Sequence, residues 1–259
     1  MSANENKRLM TGISGLDSML NGGFIPESMI LLRGAPGTGK TTLAFQFLLE
    51  GAQQGEPGLF ISFEEFPKSL YNDAASLGWD LTRYEADGSL RMVFTSAEVL
   101  SASLATPDSP ILRVIEEHNI RRVVVDSLTH FTRLSSDTHE LRAIYASVVN
   151  AFRREGVTAL FLAEETRSDF SSEEKGRLSF IVDCIVMLRY LEIDSAIQRA
   201  ILVLKMRSSD HDKTIHGYTI GAGGISIGTT LDGHLGLLSG ISRQTMISSV
   251  QSPGNAKSR

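Results

Sequence analysis

The stretch GAPGTGKTT, Gly34 to Thr42, constrains this chain more tightly than any other part of it. It fits G-x-x-x-x-G-K-[ST], with Gly34, Gly39, Lys40 and Thr41 at the required places. The flanks fit too. The apolar run SMILLRG precedes it as a strand, and KTTLAFQFLLEGAQQG follows with helical spacing and a glycine stop. Glycines at these positions, Gly37 among them, let backbone N–H groups converge on phosphates, and the helix start adds its positive dipole. Lys40 is expected to reach the β- and γ-phosphates and the Thr41 hydroxyl to ligate Mg²⁺, with Thr38 and Thr42 completing the turn. A purine nucleoside triphosphate, ATP with Mg²⁺, is the expected ligand.

Strand and helix signals alternate from there: GLFISFEE, PKSLYNDAASLG, LRMVF, SPILRVIEEHN, RRVVVDS, DTHELRAIYASVVNAFRREG, VTALFLAEE. The strand runs are continuously rather than alternately apolar. That indicates a mostly parallel, doubly wound α/β sheet with helices on both faces. From about residue 181 β signals dominate, and this end is expected to extend the sheet antiparallel. No linker or repeat divides the sequence, so residues 1–240 are expected to form one domain and the polar 241–259 a flexible tail.

A net charge of -5 gives no bulk electrostatic case for nucleic acid or an anionic membrane. The single cysteine, Cys184, excludes an internal disulfide and reads as a small buried hydrophobe. With no signal peptide and no apolar run of membrane-spanning length, a cytoplasmic setting is expected.

A P-loop needs an acid at the end of a buried strand, and VVVDS places Asp126 there to hold Mg²⁺ with Thr41. Water activation needs a carboxylate at the same sheet edge. FISFEEFP supplies Glu64 and Glu65, with Glu64 taken as general base and metal neighbour and Glu65 as helper. Strand polarity could exchange the two.

Together these residues resemble a KaiC-type ATPase domain of the RecA superfamily. The resemblance runs from TGISGLDSMLNGGFIPESMILLRGAPGTGKTTLAFQFL through FEEFPKSLYNDAASLGWDL and VVVDSLTHF to KMRSSDHDK, about residues 10–230. The family's clock protein carries two such domains in tandem and this sequence carries one, so a clock role does not transfer. The resemblance implies a RecA-like fold, hexameric rings with ATP between subunits, and protein partners as yet unidentified. It also implies that Lys205, Met206 and Arg207 reach a neighbour's nucleotide, with Ser209 and His211 near it. On a strand, Lys205 and Arg207 share a face about 7 Å apart while Met206 turns into packing. Ser76 and Leu77 match adenine-pocket positions, and Trp79 is either near that pocket or a core residue.

Alignment through IVDCIVMLRYLE sets Ser179 and Phe180 at the Ser-Thr pair that the family's kinase-competent domain phosphorylates, which makes Ser179 a candidate autophosphorylation site. Ser171 and Ser172 are other local hydroxyls. The leading expectation is a slow ring-forming ATPase acting through conformational signalling. The alternatives are a RecA-like DNA-dependent ATPase or a nucleotide-gated binding module without hydrolysis. Against DNA stands ETRSDFSSEEKGR, where acids offset bases.

Overall fold

The computed structural model describes residues 7–164, 178–193 and 195–231, and the backbone of 234–235 and 243–244. Its helices are α1 (Ser14–Met19), α2 (Lys40–Gln53), α3 (Pro67–Ser76), α4 (Leu81–Ala86), α5 (Ala97–Ala105), α6 (Pro110–Glu117) and α7 (Thr138–Arg154), with a 3₁₀ helix η1 (Leu128–Arg133). Strands β1 (Met29–Gly34), β2 (Gly58–Ser62), β3 (Leu90–Phe94), β4 (Arg122–Asp126), β5 (Thr158–Glu164), β6 (Cys184–Ile193), β7 (Ala196–Met206), β8 (His216–Gly221) and β9 (Gly224–Thr230) form one sheet, ordered β3-β2-β4-β5-β1-β6-β7-β8-β9. Two-residue strands β10 (His234–Leu235) and β11 (Arg243–Gln244) pair separately. β11 falls within the expected tail, and 245–259 lie outside the described residues.

The apolar runs become strands because both faces of the sheet are covered. Along β1, Ile30 and Leu32 enter one core cluster while Met29 and Leu31 enter the other, as the two-residue side-chain period requires. Val124 against Val123 and Val125, and Leu160 and Leu162 against Ala159 and Phe161, divide the same way. Helix α2 covers the first face with Leu43, Ala44, Phe47 and Leu48. Helices α5, α6 and α7 cover the second with Leu100, Ile111, Val148 and Phe152. Asp137 starts α7 by accepting from the amides of His139 and Glu140, both at 2.8 Å.

The β-rich end departs from expectation in one strand. β6 runs parallel to β1, and the antiparallel pairing of the large sheet begins with β7 and continues through β8 and β9. The 19 residues from 165 to 183 separate β5 from β6, enough for the crossover that a parallel neighbour needs, whereas β6 and β7 are joined by the short turn that imposes antiparallel pairing.

Parallel register brings the carboxyl ends of the strands to one edge. Gly34 lies opposite Glu164, Asp126 opposite Leu162, and Ser62 opposite both Asp126 and Phe94. At the other edge Arg122, 1% exposed, opens β4. Its guanidinium bonds Glu56 at 2.6 and 2.9 Å and the carbonyls of Met10 and Phe47 at 2.8 and 2.7 Å. No helix among the described residues is long and apolar enough to cross a membrane.

Candidate functional site

The loop between β1 and α2 is shaped for a group that backbone amides grip. Gly37 and Gly39 take φ of 76° and 93°, in the left-handed region where glycine alone is unstrained. A Cβ on Gly34 would come within 2.6 Å of Thr38 Oγ1 and 2.8 Å of the Leu188 carbonyl oxygen. Helix α2 starts at Lys40 with no side-chain cap and no acid in its first turn. Its first amides therefore lack the usual intrahelical or side-chain acceptors, the arrangement that suits an anion.

Lys40 Nζ donates to the carbonyls of Gly34 at 2.9 Å and Ala35 at 3.2 Å, which sets the ammonium over the loop. Burial holds its pKa below the ordinary lysine value, while the carboxylates of Glu164 and Asp126 oppose that shift. Thr41 Oγ1 donates to Asp126 Oδ2 at 3.1 Å, so residues 85 apart in sequence meet where the metal is expected. Burial pushes the Asp126 carboxyl up to about 6, against the Thr41 hydrogen bond and the Lys40 charge, with Glu65 and Glu64 adding to the rise. A hydroxyl and a carboxylate are hard oxygen donors. Mg²⁺ takes few protein ligands and completes its octahedron with phosphate oxygens and waters, so this pair fits it.

Glu64 and Glu65 stand beyond β2 in a bend, so strand alternation does not decide between them. Ser62 closes that bend: its hydroxyl donates to the Glu65 carbonyl at 2.9 Å and accepts from the Glu65 amide at 3.2 Å. Glu64 Oε1 lies 3.0 Å from His130 Nε2 and 3.9 Å from Arg133. Its carboxylate is thus engaged with η1, and the hydrogen bond to Thr41 is made by Asp126 alone. Partial burial raises the Glu65 carboxyl, and Asp73 and Glu64 raise it further. Glu64, Glu164, Ser127, Thr129, His130 and Arg133 surround a cleft of about 230 Å³ at this edge.

Lys205 and Arg207 lie at the opposite edge. Lys205 pairs in register with Ile185, and Met206 with Cys184 beside Ile30, near the amino end of β1. From Leu31, level with Lys205, to Gly34 the strand rises about 10 Å, and both cations are turned onto carbonyls of residues 179–182, so neither reaches the phosphate loop of its own chain. Lys205 Nζ donates to the carbonyls of Ser179 at 2.5 Å and Val182 at 2.7 Å, and Arg207 to the Phe180 carbonyl at 2.7 Å. Arg207 also faces Asp183 at 3.7 Å. Burial lowers the Lys205 pKa, and Arg207 lowers it further. Met206 turns into the core. Ser209 accepts from Arg8 at 2.8 Å, and His211 sits in the same loop, whose Asp212 amide bonds the Met19 carbonyl at 2.8 Å. Ser179 itself stands beside Lys205, remote from its own phosphate loop.

Ser76 ends α3, exposed, with its hydroxyl on the Asp73 carbonyl at 2.7 Å. The Leu77 carbonyl accepts from the Gly223 amide at 2.8 Å, and Trp79 packs against the core. Ser171, Ser172 and the whole segment weighed as a DNA loop, residues 165–177, lie outside the described residues.

Sequence reading missed several residues around the cradle. Glu164 faces Gly34 across β1 and β5. His130 holds Glu64. Tyr218, 5% exposed, donates its hydroxyl to the Thr38 carbonyl. Gln46 accepts from the Ile225 amide at 2.7 Å, joining α2 to β9. The strand-end position of Glu164 was a usable signal; the other contacts span 66 to 180 residues and leave no local trace.

Comparison with known proteins agrees with this geometry. A family model described as "ATPase: KaiC" matches residues 9–232. The chain is 36% identical over 238 residues to the circadian clock oscillator protein KaiC of a Picosynechococcus strain, covering 91% of this chain and 45% of that protein. It thus spans about half the length of the clock relatives it matches. UPF0273 protein PF1931 of Pyrococcus furiosus is 32% identical over 234 residues, with 85% of this chain and 94% of the relative covered. The crystal structure of KaiC-like protein PH0186 from Pyrococcus horikoshii superposes with a TM-score of 0.76 at 30% identity, over 86% of this chain and 99% of that one. The phosphate loop, the Thr41–Asp126 pair and a match across nearly the whole described chain lead to one conclusion: this chain belongs to the KaiC-type ATPase family.

Proposed function

We propose that this chain binds ATP with Mg²⁺ in the Gly34–Thr42 loop and hydrolyses it slowly in a ring of identical subunits, hexameric as in the resemblance, each neighbour supplying Lys205 and Arg207. The observation that carries this reading is the opposition of the two sheet edges. The cradle and four carboxyl groups occupy one edge, and the cations expected at the phosphates occupy the other. A cation at the amino edge can serve a phosphate only across a subunit boundary.

In this reading Lys40 holds the phosphates, and Thr41 and Asp126 hold Mg²⁺, which when bound spreads the charge developing on the phosphate oxygens. Glu64 takes the proton of a water whose oxygen attacks the γ-phosphorus, with Glu65 as its helper; the bond to the β-phosphate bridging oxygen breaks and ADP leaves. Ser76 is the proposed contact to the base, and Ser209 and His211 the proposed contacts near the ribose and phosphates. The nucleotide state would be passed to protein partners.

The test follows free phosphate from γ-labelled ATP for Lys40→Ala, Arg207→Ala and their mixture. Loss of one phosphate-site donor costs roughly 10²–10³ in rate. Both variants are expected to be inactive alone, and mixing them to restore activity, because some boundaries then join an intact Lys40 to an intact Arg207. A mixture as inactive as its parts would sink the trans reading.

A second reading has its own support. Ser179 lies where a phosphate gripped by Lys205 would be close, since its carbonyl accepts from that ammonium. Label appearing on the protein, and absent from Ser179→Ala, would add autophosphorylation to hydrolysis; label on free phosphate alone would remove it.

A further inference from the structure

We infer that His130 is a positioning residue for hydrolysis. It holds the Glu64 carboxylate at the cleft and makes η1 the clamp that aligns Asp126, Glu164 and Glu64. The inference rests on the reading of Glu64 as the proton acceptor.

Strand β4 ends at Asp126, and η1 begins two residues later at Leu128. Two consecutive side chains of η1 then touch the neighbouring strand ends. Thr129 Oγ1 accepts from the Glu164 amide at 3.0 Å, which ties η1 to the end of β5. His130 Nε2 lies 3.0 Å from Glu64 Oε1, which ties η1 to the bend after β2. An ionised carboxylate only accepts hydrogen bonds, so Nε2 carries the proton in this pair.

The two partners differ sharply in exposure. The His130 side chain is 11% exposed and that of Glu64 63%. The imidazole is fixed by an edge-to-face contact with Phe63, centroids 5.7 Å apart at 73°, and Phe63 in turn packs against Phe131. A mobile surface acid is therefore moored to a ring that the core holds still. Without that mooring Glu64 would sample several rotamers, and catalytic groups held loosely lose rate steeply with small displacements. Arg133 at 3.9 Å adds charge to the same carboxylate, and Glu98 of α5 lies close enough to His130 and Arg133 to interact with both.

Phosphate release is measured for His130→Phe, Glu64→Gln, Glu65→Gln and the double variant His130→Phe/Glu64→Gln, with a fluorescent ADP analogue reporting nucleotide binding. Phenylalanine keeps the packing on Phe63 and removes the N–H. Expected are a kcat loss of tenfold or more for His130→Phe with KM within twofold, and a double variant no slower than Glu64→Gln alone. Losses that multiply in the double variant, or an undiminished kcat in His130→Phe beside an inactive Glu64→Gln, overturn the clamp alone. Full activity in Glu64→Gln with loss in Glu65→Gln overturns the Glu64 assignment and the clamp with it. Should His130→Phe fail to bind the ADP analogue, His130→Gln decides: its amide N–H reaches as imidazole Nε2 does. A kcat within threefold of wild type supports the clamp, and a larger loss with intact binding overturns it.

Discussion

The carboxyl and amino edges of the sheet are both rich in charge but solve it differently. At the carboxyl edge Asp126 and Glu164 face Lys40 while Glu64 faces Arg133 and Glu65 stands beside it, and Asp126 is raised to about 6 by its burial and its neighbours. Among the described residues, carboxylates outnumber the cations that face them there. At the amino edge Arg122 is saturated by a carboxylate and two carbonyls, whereas Arg207, roughly half exposed, has among the described residues one carbonyl and a distant carboxylate. Cations with complete partner sets stabilise a fold. Cations with spare donors, opposite an edge that needs them, look outward.

The sharpest way to break this contrast is to compare two arginines of the same edge. Arg207→Ala is expected to lower kcat on the order of 10³-fold, the lower range for an arginine acting on a transferring phosphoryl group. Its urea midpoint should stay within experimental scatter of wild type. Arg122→Met should do the reverse. It leaves Glu56 and two carbonyls without their donor and should cost about 3–5 kcal/mol in urea unfolding, the range for breaking a buried pair. Its rate per folded molecule should be nearly unchanged. If Arg207→Ala unfolds the chain while Arg122→Met is silent, the distinction between the two cations is wrong.

Asp126 sharpens the other side of the comparison. Its folded pKa of about 6 exceeds the 3.8 of an ordinary aspartate, so between those values the folded state holds more protons than the unfolded one. Stability without metal should therefore fall as pH rises from about 4 to 6, by at most about 3 kcal/mol. Asp126→Asn should remove most of that slope and be more stable than wild type at pH 7, while losing Mg²⁺-dependent nucleotide binding. Thermal melts across pH, with and without Mg²⁺ and ADP, check both. A variant less stable than wild type at pH 7 would show that the carboxylate is not a cost to the fold.

These sites also mark what the sequence makes legible. The cradle is local: strand, glycines, lysine and helix lie within 25 residues, and each imposes a recognisable residue type. Asp126 could be read because the cradle demands an acid at the end of a buried strand, although β5 ends in an acid as well. The core followed from continuous apolar runs that fill two faces. The contacts that bind the site together are of another kind. Arg122 looks like a surface charge at a strand start, and only the fold reveals Phe47 and Glu56 around it. Short elements such as α1, α4 and η1 carry two turns of periodicity at most, too little to detect. The direction of β6 hung on the length of a connection, which no side-chain pattern encodes.

The smallest effect tests whether the antiparallel extension takes part in the site or only closes the sheet. Tyr218 on β8 donates its hydroxyl to the Thr38 carbonyl, inside the phosphate loop, from 180 residues away. Ile220, on the same strand, would be within 2.5 Å of a Cβ on Gly39. The loop is thus held on its outer side by strands absent from a bare parallel core. Tyr218→Phe removes one buried hydrogen bond and leaves the ring, so about 1 kcal/mol of stability should be lost. If the extension steadies the loop, part of that loss appears as nucleotide affinity weakened about two- to fivefold, read by titration with a fluorescent ADP analogue. Affinity unchanged beside a stability loss would confine the extension to scaffolding. The carboxyl edge would then owe its shape to β1, α2 and η1 alone, and any influence of β8 on hydrolysis would have to run through the subunit boundary.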